Sequence, residues 1–175
     1  MAKHVLTAIG DDRTGLVAAL AGIVTDHDGN WLESQMARLA GKFTGVVLVD
    51  IPDERLPAFL SALADLDRQG ILTVTATKID DAATAEPGAT LALYLVGHDR
   101  PGIVHQVTRV LAGHGVMIEE LSSSVSEAPM AGGLLFQATA SLRAPKGVSA
   151  DELRTALEGL ANELMVDIEI SHQHD

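Results

Sequence analysis

The chain has 175 residues with 24 acidic against 12 basic side chains, a formal net charge of −12, 47% hydrophobic residues and no cysteine. An acidic chain without a lysine or arginine run is a poor direct binder of nucleic acid, because such binding is dominated by phosphate neutralisation; no apolar run approaches the roughly 20 residues that span a bilayer. The missing thiols exclude disulfides, thiol catalysis and zinc–thiolate sites and fit a cytoplasmic protein, as does an N-terminus, Met1-Ala2-Lys3-His4, without a signal-peptide core.

The elements follow in order. An apolar run from Val5 to Ile9 predicts a strand near 4–10, and Leu16, Leu20, Ile23 and Val24 then form one stripe of a helix near 14–27. His27-Asp28-Gly29 stops that helix ahead of strands near 31–39 and 43–51. A second helix near 55–68 carries Leu56, Phe59, Leu60 and Leu63 at i, i+3, i+4 and i+7, and a strand near 71–78 closes the unit. Asp80 to Ala89, with Pro87-Gly88, reads as a linker, which sets domains at 1–79 and 90–175. The order then repeats: strands near 90–97, 117–126, 133–142 and 165–171, and helices near 101–114 and 149–163. The first of these helices carries Ile103, Val107, Val110 and Leu111, the second Leu153, Leu157, Leu160 and Leu164.

The repetition extends to residues. Asp12-Arg13-Thr14-Gly15-Leu16-Val17 returns 87 positions later as Asp99-Arg100-Pro101-Gly102-Ile103-Val104, and His27 to Trp31 faces His114 to Ile118 at the same spacing. At Gly45 and Gly133 the spacing reaches 88, which predicts one residue gained in the loop from Glu127 to Gly132. The unit is a tandem duplication. Each half is βαββαβ, an α+β fold of ferredoxin-like type in which two helices cover one face of a four-stranded antiparallel sheet.

Chemistry could sit in the loop between first strand and first helix, which runs Gly-x-Asp-x-x-Gly in both copies, Gly10 to Gly15 and Gly97 to Gly102. Glycines let the backbone turn and a ligand approach, free amides at a helix start favour a carboxylate, and Asp11, Asp12 or Asp99 could accept a bond from an ammonium group. Carboxylate beside ammonium describes an amino acid. The alternative is purely structural: Asp12 and Asp99 cap the helices, Pro101 starts a helical turn and the glycines serve the turn. Neither loop has the ending of a P-loop or the glycine spacing of a dinucleotide fingerprint. Ser122-Ser123-Ser124 lacks a nucleophile elbow and reads as an exposed strand, Trp31 as core, and His172 and His174 as a solvated tail.

Asp-Arg-Thr/Pro-Gly-Leu/Ile-Val after a short strand, followed by an amphipathic helix, a glycine-bearing stop and a strand beginning Asn30-Trp31-Leu32-Glu33 or Met117-Ile118-Glu119-Glu120, resembles the ACT domain. Two such domains cover essentially the whole chain, an architecture similar to that of the glycine cleavage system transcriptional repressor family. The resemblance implies a regulator without catalytic activity, needing no cofactor or metal. Its effector would be a small amino acid, with glycine favoured, bound where ACT domains pair through their sheets as a homodimer or higher assembly. Carried over to this chain, the implied ligand-binding positions are Gly10, Asp11, Asp12, Arg13, Thr14, Gly15, Leu16 and Asn30 in the first copy. In the second they are His98, Asp99, Arg100, Pro101, Gly102 and Ile103, with Gly97 opening the loop. Thr14 replaces the proline of the pattern, and Met117 stands where an asparagine is common, which favours the first copy's loop. The expected partner is a transcription factor, contacted without direct binding to DNA; a metabolic enzyme placed under amino-acid feedback control is the other reading.

Overall fold

A computed structural model describes residues 2–79, 88–129 and 132–172, in two compact units, Met1–Thr84 and Ala85–Asp175. Of the expected linker, residues 80–87 lie outside the described residues, as do 173–175 of the expected tail, while His172 of that tail is instead the last residue of a strand, opposite Leu91.

The first unit runs β1 (Ala2–Asp11), α1 (Leu16–Asp26), β2 (Asn30–Leu39), β3 (Lys42–Ile51), α2 (Leu56–Arg68) and β4 (Thr73–Lys78). The second repeats it as β5 (Ala89–His98), α3 (Ile103–Gly113), β6 (Met117–Glu127), β7 (Leu134–Ala144), α4 (Ala150–Leu164) and β8 (Val166–His172). Both sheets are antiparallel throughout, in the orders β2-β3-β1-β4 and β6-β7-β5-β8. This is the ferredoxin-like plan expected from the sequence, with each element present.

Alternation decides which face of each sheet is covered. In β3, Phe43, Val47, Val49 and Ile51 are buried and meet Leu16, Leu20 and Val24 of α1 with Phe59, Leu63 and Leu66 of α2. In the second unit Leu91, Leu93 and Leu95 of β5 meet Ile103, Val107 and Leu111 of α3 and Leu153, Leu157 and Leu164 of α4. Each such side chain, taken fully out of water, contributes about 1.5–3 kcal/mol. The predicted stripes therefore hold with one exception: Leu60 is 42% exposed, because α2 rotates Leu66 inward instead. Trp31 is half-buried against the first core.

Two sequence expectations are corrected. Leu39 stands opposite Lys42 and Ser126 opposite Leu135, so the spacing between copies rises from 87 to 93 across the β6–β7 hairpin. The second hairpin is thus longer by six residues, not one, and Ala138, not Gly133, takes the place of Gly45: Gly45 pairs with Ala8 of β1 and Ala138 with the equivalent Leu95 of β5. Glycine similarity misled the alignment because Gly133, with φ 91°, serves the hairpin turn. Nor do Asp12 and Asp99 cap helices: the N-cap residues are Gly15 and Gly102, without a side-chain cap. Of the four helices only α4 has a side-chain cap, Ser149 Oγ accepting from the Glu152 amide at 3.1 Å.

Candidate functional site

The loop following β1 is shaped by its glycines. A Cβ at Gly10 would lie 2.8 Å from the Ile71 carbonyl oxygen, and one at Gly97 would lie 2.4 Å from Val166 Cγ1, so the first glycine of each loop is required by close packing on the chain that follows the second helix, the α2–β4 connection in one copy and the first residue of β8 in the other. Gly15 faces open space and a Cβ at Gly102 would meet Gln106 Nε2 only at an ordinary 3.8 Å, but both have positive φ, 92° and 93°, the left-handed region that glycine enters without strain.

The arginines are ties to the scaffold. Arg13 Nη2 donates to the Gly70 carbonyl at 3.0 Å, and Arg100 Nη1 reaches the Glu163 carbonyl at 3.5 Å, so in both copies the guanidinium crosses to the C-terminal end of the second helix. The backbone of the motif's aspartate is used alike: Asp12 N–H donates to Gly41 O at 2.9 Å and Asp99 N–H to Leu134 O at 2.8 Å, fastening each loop to the neighbouring hairpin. With these ties made, the first amides of α1 and α3 have no intrahelical acceptor and form an anion-favouring end.

The carboxylates separate the copies. In the first, Arg38 Nε donates to Asp12 Oδ2 at 2.7 Å and the Lys42 ammonium is paired with Asp11. The hydrogen bond from Lys42, then its charge, hold the Asp11 carboxyl below the ordinary value of 3.8. In the second, register places Val125 where Arg38 stands and Leu135 where Lys42 stands, while His98 replaces Asp11. The exposed Asp99 carboxylate therefore has no ion-pair or hydrogen-bond partner among the described residues. One turn along α3, where the first copy has Ala19, the Gln106 side chain lies beside Gly102 and its Oε1 is buried without a hydrogen-bond partner. Sequence reasoning passed over Gln106, Arg38 and Lys42 because none belongs to the repeated motif; their one signal is that each differs between copies.

The structure brings Gly10 to Leu16 together, and His98 to Ile103 likewise, but not Asn30. Asn30 pairs with Asp50, which pairs with Lys3, at the start of β1, so it lies eight strand residues from Asp11, roughly 26 Å at about 3.3 Å per residue. Within one unit Asn30 and the loop cannot hold the same small ligand. A cleft of about 330 Å³ lies beside the first loop, bounded by Ile9, Gly10, Asp11 and Lys42 and by the α2–β4 junction from Gly70 to Thr73; Thr14, Gly15 and Leu16 do not line it. Among the described residues no group of three or more His, Asp or Glu is placed to hold a metal ion, and no helix is long and apolar enough to cross a membrane.

A family model described as the ACT domain matches this chain twice, over residues 4–76 and 89–171. The chain belongs to the ACT domain family. A UPF0237 protein of Methanopyrus kandleri is 34% identical over 79 residues, covering 45% of this chain and 82% of that protein, about one ACT unit. An unknown protein from Galdieria sulphuraria has the same two-unit fold, with a TM-score of 0.84, 29% identity and 99% of each chain covered. A candidate glycine cleavage system transcriptional repressor matches over 99% of this chain and 98% of its own with a TM-score of 0.76; at 20% identity that likeness is one of fold. ACT domains are amino-acid-binding regulatory modules, and that is the class in which this tandem pair falls.

Proposed function

We propose that this ACT tandem is a non-enzymatic regulator that senses a small amino acid, with glycine the favoured effector, and passes the signal to a transcription factor by protein–protein contact. The single observation that carries the ligand reading is the Asp99 carboxylate, uncompensated beside the open end of α3. Amides at the start of α3 suit the ligand's carboxylate, and Asp99, with the orphaned Gln106 Oε1, suits its ammonium group. A ligand with a larger side chain gains nothing from these groups. The sequence favoured the first loop; the ion pairs of Asp11 and Asp12 move the preference to the second, since an ammonium ligand at the first must displace Lys42 or Arg38.

The regulatory output is supported by the fold shared along nearly the full length with the candidate repressor, and by an acidic chain that disfavours reading DNA itself. A thermal-shift panel of the twenty amino acids tests the effector: glycine should raise Tm most, since ligand at 100 times its Kd stabilises the native state by about 2.7 kcal/mol. No shift with any amino acid would contradict the reading. Co-purification from cells tests the partner, and recovery of a biosynthetic enzyme in place of a transcription factor would contradict that part alone.

A further inference from the structure

The loop of the second copy holds the chain on both sides of one strained residue, and we infer that this residue's junction, between α4 and β8, is the element that responds when the second site fills. The inference rests on the amino-acid reading of that site. Gly97 pairs with Val166, the first residue of β8, and Arg100 Nη1 reaches the Glu163 carbonyl at 3.5 Å. Between these two clamps Met165 sits at φ 54° and ψ 47°, in the left-handed region. That region costs free energy for a residue with a side chain, and Met165, 72% exposed, gains little burial to offset it.

The first copy closes the same junction without strain. Its left-handed residue is Gly70, with φ 65°, and Arg13 Nη2 donates to the carbonyl of that glycine at 3.0 Å. The Gln69, Gly70 and Ile71 amides donate to the Asp65, Asp67 and Leu66 carbonyls at 3.0, 2.9 and 2.9 Å, whereas the Met165 amide meets Asn162 O only at 3.4 Å. The second junction is the looser of the two and the one that stores conformational energy.

Arg100 lies two residues before the N-cap Gly102, where an amino-acid carboxylate meets the first amides of α3. A guanidinium bond to a carboxylate is charge-assisted, and stronger than one to a neutral carbonyl. Occupancy therefore draws Arg100 from Glu163 to the ligand, opens one clamp and lets Met165 leave the left-handed region. The strain released adds to the affinity, so ligand and junction are linked in both directions. The same move by Arg13 in the first copy would release nothing.

Calorimetry with glycine and amide hydrogen exchange followed by NMR test this, with circular dichroism confirming that each variant folds. Met165→Gly removes the strain from the unliganded state alone and should weaken glycine binding by about 5- to 30-fold. Gly70→Ala, which places strain in the first junction, should leave the affinity within about twofold. Saturating glycine should speed exchange of the Met165 amide in wild type, and Arg100→Ala should make that exchange fast with or without glycine. Unchanged affinity in Met165→Gly, an equal loss in Gly70→Ala, slow Met165 exchange in Arg100→Ala, or a Met165 amide indifferent to glycine would each overturn the inference and leave the glycine reading standing. Absence of glycine binding to the wild-type chain would overturn that reading and this inference together.

Discussion

The two copies share a backbone device and differ in how its charge is compensated. In both, a glycine packs against the chain just after the second helix, an arginine holds a carbonyl at that helix's C-terminal end, an aspartate amide fastens the neighbouring hairpin and a left-handed glycine opens the helix. The first copy neutralises its aspartates with Arg38 and Lys42, whereas the second replaces those cations with Val125 and Leu135 and leaves Asp99 open. The lesson is that a motif kept through duplication reports scaffold, while the residues facing it report how each copy compensates its charge.

The shared device is broken most severely at its packed glycine. Gly97→Ala forces a Cβ to within 2.4 Å of Val166 Cγ1 and 2.9 Å of its Cα, and Gly10→Ala meets the Ile71 carbonyl at 2.8 Å. Each should lower unfolding free energy by about 1–3 kcal/mol, measured by urea denaturation. Because the contact is with backbone in both, a neutral result at either position would separate the copies where they are held to be alike.

The difference itself is tested at the carboxylates. Asp99→Asn removes a charged acceptor for an ammonium group, worth about 1.5–3 kcal/mol, and should weaken glycine binding about 10- to 100-fold. Asp12→Asn should leave affinity within about twofold, since Arg38 already occupies that carboxylate. Isothermal titration of both variants makes the comparison.

Smaller effects are expected at the left-handed glycines and at the ion pairs. Gly15→Ala and Gly102→Ala should each cost about 1–2 kcal/mol from backbone strain alone, visible in Tm. Substitution of Gly15 by a larger residue therefore cannot leave the fold untouched, as open space around its Cβ position would otherwise suggest. Arg38→Ala, which breaks an exposed pair, should change stability by no more than about 1 kcal/mol. The Asp11 pair adds a pH signature: its carboxyl is held below 3.8 by Lys42, so its contribution is present above that value and is lost as pH falls through the lower folded value. Proton NMR titration of Asp11 should show the depressed midpoint, and Lys42→Ala should raise it toward the ordinary one.

Much of the fold was legible because its signals are local. The stripes Leu16–Leu20–Val24 and Ile103–Val107–Leu111 are periodic within one helix, and the repeat supplied each element twice. Leu60 misled because four apolar residues at helical spacing left the direction of the stripe open until Leu66 chose it. The hairpin length was misjudged because an insertion between strands leaves no periodic trace, and Gly133 offered a false match to Gly45. At the site, the loops were visible as a motif, but Arg38 and Lys42 reach Asp12 and Asp11 from another hairpin, and Asn30 is separated from its loop by strand direction. Those relations are tertiary.

The central claim is that two like loops offer one ligand site, in the second copy. Titration of the 175-residue chain with glycine, followed by calorimetry, counts sites directly. The account predicts one glycine per chain, lost in Asp99→Asn and retained in Asp12→Asn. Two glycines per chain, or binding lost in Asp12→Asn and kept in Asp99→Asn, would contradict it.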